Sequence, residues 1–231
     1  MNKKTTLVLL PGLDGTEFFF GPLRRELPAW IETVNVAYPS SGPNAYEDLI
    51  PLVNQVLDSL SDCVLLGWSF GGPLALMVAA QRPLQVSGVI LCSSFVTPPL
   101  PKLAPFRFAM VPPVIAFVRA LRRTRLPIPG FASGALRHAK AMTWRHVNSA
   151  ALASRARAAL AVDARRQLGI CRARILYLAS TRDETISRAS LNEVLMIAPQ
   201  TEVAEVEGPH LALFTNPAKS AACIVDFLRD R

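Results

Sequence analysis

Short apolar runs alternate with stretches of helical spacing along most of the chain. Thr5–Leu10 is apolar and stops at Pro11-Gly12, the pattern of a parallel strand buried on both faces. Val34–Tyr38 reads as a second strand, closed by Pro39 and a Ser-Ser-Gly-Pro loop. From Ala45 to Leu60 the residues Leu49, Leu52, Val53, Val56, Leu57 and Leu60 recur at three and four, which predicts a helix. Cys63–Leu66 is a third strand, followed by a helix that stops near Arg82-Pro83. Val86–Cys92, Ile175–Ala179 and Thr201–Val206 are the fourth, fifth and sixth, and a helix over Ala218–Leu228 closes the pattern. Strands that alternate with helices predict an α/β fold with a mostly parallel, helix-covered sheet of about six strands.

One segment breaks the rhythm. Between Thr97 and Gln167 lie Pro98, Pro99, Pro101, Pro105, Pro112, Pro113, Pro127 and Pro129, followed by an Ala/Arg-rich helical stretch. The expected organisation is a core of residues 1–96 and 168–231 with a helical cap, residues 97–167, inserted after the fourth strand. A length of 231 residues accommodates one such domain.

Charge sharpens the picture of that insert. From Cys63 to Val162 there is no Asp or Glu but twelve of the 25 Lys and Arg, which leaves thirteen basic against seventeen acidic residues elsewhere. Arg119, Arg122 and Arg123 follow the apolar run Phe106–Val118 and are the cap residues singled out as substrate or partner contacts. Arginine at this density suits phosphate or carboxylate partners. Three readings stay open: an acidic acyl-carrier protein or coenzyme A, a membrane surface, or a solvated face on a lid whose apolar side covers an acyl pocket. Pro112-Pro113 argues against a single regular membrane-surface helix. Nucleic acid is not expected, because no binding module accompanies the charge.

Hydrophobic content of 51% with 18% charged residues excludes a disordered chain. Cys63, Cys92, Cys171 and Cys223 lack C-x-x-C spacing and read as reduced thiols of a cytoplasmic protein. Met1-Asn2-Lys3-Lys4 ahead of an apolar run mimics a signal peptide. The run is short and no small-residue cleavage site follows, so it is read as the first strand. No apolar run approaches the roughly 20 residues of a spanning helix.

The candidate chemistry starts at Gly67-Trp68-Ser69-Phe70-Gly71-Gly72, between the third strand and its helix. This is a G-x-S-x-G nucleophile elbow in its required setting, where a sharp turn exposes the serine hydroxyl. Such a serine needs a base, an acid to orient the base, and donors for the oxyanion. In this fold they follow in the order Ser, Asp or Glu, His. His138 and His146 lie in the cap, whereas His210 follows the sixth strand in Glu207-Gly208-Pro209-His210. Asp183 sits just past the fifth strand, where α/β sites gather, with Glu184 as its rival and Asp163 a weaker candidate at the cap edge. One oxyanion donor is expected at the N–H of Phe70. The other comes from the loop Leu10 to Thr16, at Leu13, because Pro11 has no N–H. No metal cluster is present in the sequence, and the chemistry implies no cofactor.

Taken together, the elbow, the loop Ser180 to Ile186 and the Gly-Pro-His followed by Asn216-Pro217 resemble the α/β-hydrolase superfamily. Within it they are similar to small bacterial carboxylesterases of the pimeloyl-carrier-protein methyl ester esterase type. The resemblance implies Ser69, Asp183 and His210 as a triad, with Leu13 and Phe70 as oxyanion donors. Two departures stand out. The family's usual His-Gly after the first strand is Pro11-Gly12 here, and the two leading strands of larger members are absent ahead of Thr5. The expected activity is hydrolysis of carboxylic esters of hydrophobic acyl groups. The alternatives are a thioesterase acting on an acyl-carrier protein or acyl coenzyme A, a transferase or lactonase with the same triad, and a non-catalytic binding protein on the same scaffold.

Overall fold

Apolar runs without alternation become strands here because both faces of the sheet are covered. The structure, a computed structural model, describes residues 4–124, 138, 142–143 and 145–229. Its strands are β1 (Thr5–Leu10), β2 (Ile31–Asn35), β3 (Cys63–Trp68), β4 (Val86–Cys92), β5 (Arg174–Ser180) and β6 (Glu202–Val206). They form one sheet in the order β2-β1-β3-β4-β5-β6, and every neighbouring pair is parallel. Along β1, Val8 and Leu10 point into one apolar cluster and Leu7 and Leu9 into the other. Leu65 and Val64 in β3, and Val89 and Ile90 in β4, divide in the same way. Each fully buried side chain of this size contributes about 1.5–3 kcal/mol, so a run apolar at every position is what a two-sided sheet requires.

The helices are α1 (Gly21–Glu26), α2 (Tyr46–Leu57), α3 (Gly71–Gln81), α4 (Pro112–Thr124), α5 (Ser149–Ala159), α6 (Arg165–Gly169), α7 (Arg188–Ile197), α8 (Ala212–Thr215) and α9 (Pro217–Arg229). Leu49 and Val53 of α2, Leu74 and Val78 of α3, Leu168 of α6 and Val194 of α7 cover one face. Leu23 of α1, Leu213 of α8, and Ile224 and Phe227 of α9 cover the other.

The second strand lies three residues earlier than the pattern predicts. Ile31 to Asn35 pair with Thr5 to Leu9, after which the chain leaves the ladder. Val36 and Tyr38 remain buried, and Tyr38 N–H is turned to the carbonyl of Gly15 at 2.9 Å. Val34–Tyr38 is apolar because it packs, and only its first two residues belong to the strand.

After β4 the chain makes a 3-10 helix over Pro101–Ala109, then α4, and α5 packs against α4. The two apolar helical pieces meet at a bend of 113°, and α4 begins at Pro112, so the adjacent prolines start a helix and do not interrupt one. Among the described residues no single helix is long and apolar enough to cross a membrane. The Asn148 side chain accepts from Ala151 N–H at 2.8 Å and caps α5. Ala159, Val162 and Ala164 belong to the same apolar cluster as α2 and α3, so the end of the inserted segment is continuous with the core.

Candidate active site

The strand order reverses beside β1, which lies between β2 and β3, and this switch point is where the loops after β1 and β3 part. Ser69 stands at that point. It has φ 53°, a left-handed backbone that a side chain adopts only when its surroundings enforce it. The surroundings here are specific. Ser69 N–H donates to Cys92 O at 2.9 Å, and its own carbonyl accepts from Ser94 Oγ at 2.7 Å. The turn closes because Gly67 and Gly71 pass without side chains. A Cβ at Gly71 would stand 2.4 Å from Leu10 O and 2.8 Å from Pro11 O, both rigid backbone atoms. We therefore expect Gly71→Ala to lower stability by about 3 kcal/mol, as overpacking does at the upper end of its usual range. Chemical denaturation measures this directly, and an unchanged midpoint would show that the end of β1 is free to move.

The histidine and the acid arrive from two further strand ends. His210 Nε2 lies 3.0 Å from Ser69 Oγ, and His210 Nδ1 lies 2.8 Å from Asp183 Oδ2. The second oxygen, Asp183 Oδ1, accepts the N–H groups of Thr185 and Ile186, each at 2.8 Å. Burial of Asp183 works against its charge, but the bonds from His210 and these two amides outweigh it and hold the carboxyl below its ordinary range. An ionised Asp183 makes Nδ1 the donor, which leaves Nε2 as the acceptor facing Ser69. Trp68 fixes the loop from below, its Nε1–H donating to His210 O at 3.1 Å.

The loop after β1 supplies the remaining part. The backbone N–H groups of Leu13 and Phe70 have no acceptor among the described residues. Phe70 immediately precedes α3, where the first amides of a helix lack partners and attract negative charge. Asp14 accepts from the N–H of Thr16 at 3.0 Å and from its hydroxyl, which braces the loop and leaves the carboxylate out of the triad.

The predicted residues thus divide clearly. Ser69, Asp183 and His210 meet in one chain of bonds, and Leu13 and Phe70 stand on the two loops that flank it. Glu184 is exposed and does not meet His210, and Asp163 pairs with Arg165 at the surface. His138 is exposed, and His146 lies against Phe18 with its Nδ1 2.8 Å from Met142 O. Of the cap arginines, Arg119 is engaged within the protein, donating to Val147 O at 2.8 Å and Ser149 Oγ at 3.2 Å. The side chains of Arg122 and Arg123 lie outside the described residues. The four cysteines form no disulfide. A groove of about 760 Å³ between α2, α3 and α5 is lined by none of the triad.

Sequence reasoning missed Arg155. Counted among the cap charges, it is fully buried, and its guanidinium reaches the loop after β1. Its signal lay in helical spacing: Ala151, Arg155 and Ala159 recur at four along the buried side of α5.

Comparison with known proteins agrees with this geometry. Residues 7–222 match the Alpha/beta hydrolase family. The chain is 32% identical over 131 residues to a pimeloyl-[acyl-carrier protein] methyl ester esterase of Nitrosospira multiformis, a match that covers 51% of this chain and 48% of that protein. It therefore spans about half the length of this curated relative. Among solved structures, a bromoperoxidase from Bacillus anthracis superposes with a TM-score of 0.82 at 16% identity, over 97% of this chain and 92% of that one. A carboxylesterase structure from the thaumarchaeon Nitrososphaera gargenis gives 0.78 at 17% identity, over 98% and 90%. At these identities the structural likeness concerns the fold.

Proposed function

The chain belongs to the alpha/beta hydrolase family, and from its site we propose that it is a serine hydrolase cleaving carboxylic esters of hydrophobic acyl groups. The observation that carries this reading is the unbroken chain from Ser69 Oγ through His210 to Asp183, with the far oxygen of Asp183 occupied by two amides. His210 Nε2 takes the Ser69 proton as Oγ attacks the ester carbonyl. The oxyanion is met by the Leu13 and Phe70 N–H groups, and Asp183 stabilises the imidazolium. The proton then passes from Nε2 to the departing alkoxide, which leaves an acyl-enzyme on Ser69. Water, deprotonated by the same nitrogen, attacks that ester and releases the acid. These steps use only side chains, backbone amides and water.

A second reading follows from the similarity to an esterase of an acyl-carrier substrate and from the acid-free, basic stretch Cys63 to Val162. In it the acyl group is delivered by an acidic carrier docked on the inserted segment. One experiment addresses both readings. Hydrolysis of p-nitrophenyl esters from acetyl to lauroyl is measured beside a methyl ester carried on an acyl-carrier protein, with fluorophosphonate labelling of Ser69 in parallel. We expect labelling and a turnover maximum at one chain length. A carrier substrate preferred at low salt and lost at high salt would favour delivery. Absence of label and of turnover on every substrate would leave a binding protein on this scaffold.

A further inference from the structure

Arg155 occupies a place that a surface charge does not. No part of it is solvent-exposed, and its guanidinium makes five donations. Nη1 donates to Leu13 O at 3.1 Å and Asp14 O at 2.8 Å. Nη2 donates to Pro39 O at 2.6 Å and to Asn44 Oδ1 at 2.7 Å, and Nε to the same Oδ1 at 2.9 Å. The neighbouring Ser154 Oγ accepts Asn44 N–H at 3.0 Å, so two consecutive residues of α5 hold one loop. A buried charge this well satisfied is costly to assemble and costly to break.

The target of the two Nη1 bonds gives the arrangement its meaning. Gly12 to Gly15 is a tight turn, closed by Gly15 N–H on Gly12 O at 2.9 Å. Leu13 O and Asp14 O belong to its second and third peptides, and those are the two that Arg155 grips. Gly12 O is already occupied by the closing bond, Pro11 O accepts the Tyr38 hydroxyl at 3.0 Å, and Gly15 O accepts Tyr38 N–H at 2.9 Å. Every carbonyl from Pro11 to Gly15 is therefore held from the protein side, while the Leu13 N–H is left without an acceptor among the described residues. Gly15 is part of the fit. Its φ is +71°, and a Cβ there would stand 2.4 Å from Arg155 Nη1.

We propose that Arg155 is a positioning residue, which from α5 holds the Gly12–Gly15 turn in the shape that keeps the Leu13 N–H aimed at the oxyanion. The inference rests on the serine hydrolase reading above. It makes the inserted segment a working part of the site, since any displacement of α5 moves the donor that stabilises the transition state. Burial lowers the guanidinium to about 10, with Tyr38 and Asp14 acting in the opposite direction, so it stays charged at neutral pH.

Arg155→Met and Arg155→Lys test this with substrate kinetics and thermal unfolding together. Loss of an oxyanion donor or its displacement by about 1 Å costs about 10²-fold, so we expect kcat to fall about 10²-fold in Arg155→Met with KM nearly unchanged. Arg155→Lys, which keeps the charge but not the planar fork, should lose about tenfold. A trifluoromethyl ketone, whose adduct with Ser69 carries the oxyanion, should lose affinity in step with kcat. If Arg155→Met does not fold, Asn44→Ala removes the acceptor of two of the five bonds and should show the same kcat-selective loss. A folded variant with unchanged kcat, or a loss confined to KM, overturns the proposal. If Ser69→Ala keeps wild-type turnover, it is the hydrolase reading that fails.

Discussion

Ser69→Ala is expected to reduce kcat on any ester substrate by about 10⁶-fold while the protein folds as before. The magnitude follows from what is removed. Without Oγ no acyl-enzyme forms, and what remains is a site whose amides and histidine act only on a bound water. The fold should be indifferent, because among the described residues the hydroxyl bonds only to His210, whereas the turn is held through Ser69 N–H, Ser69 O and the flanking glycines. Thermal unfolding of the variant should match the wild type or exceed it, as is common when a site arranged for reactivity is relaxed. The same unit predicts a non-additive result: Ser69→Ala combined with His210→Ala should be no slower than either alone. Burst and steady-state kinetics on p-nitrophenyl esters measure all three. Additive losses in the double variant would show that Ser69 and His210 do not act on one proton.

The sheet was legible in the sequence because both of its faces are buried, so apolar runs mark strands whatever their phase. β4 lies at Val86–Cys92 as the pattern predicts. β2 does not, and the reason is physical: Val36 and Tyr38 are apolar for packing, and periodicity cannot distinguish burial in a ladder from burial beside one. The triad was legible because each member follows a strand end and the chain order of roles is constrained by the fold. Of the two carboxylates it is Asp183 that meets His210, because the Thr185 and Ile186 N–H groups close on Asp183 Oδ1 and leave Glu184 outside. Arg155 shows the limit of charge counting. Arg155 and Arg157 stand two residues apart in the same helix; one is buried and makes five hydrogen bonds to four oxygens, while the other donates to Met110 O at the edge of the inserted segment. The buried role depends on Gly15 and Asn44, more than a hundred residues away, and on a positive φ that composition does not report.

Asp183→Asn carries the second large effect, and it follows from the same two amides. Thr185 and Ile186 N–H groups require an oxygen at the Oδ1 position, so an asparagine placed there turns its NH₂ towards His210. Nδ1 must then accept, the imidazole proton moves to Nε2, and Nε2 has no lone pair for the Ser69 proton. We expect kcat to fall about 10⁴-fold with little change in KM, because the geometry survives and the tautomer does not. The stability of the variant should depend on pH in a defined direction. The Asp183 carboxyl is held below its unfolded value near 3.9, so its contribution is fully present above that value and is lost as pH falls through the folded one. Asparagine has no such dependence. The difference in melting temperature between wild type and Asp183→Asn should therefore be largest near neutral pH and close as the solution is acidified below about pH 4. A gap that stays constant across that range would mean that the charge of Asp183 is not stabilised by His210 and the two amides, and that the histidine is oriented by some other contact.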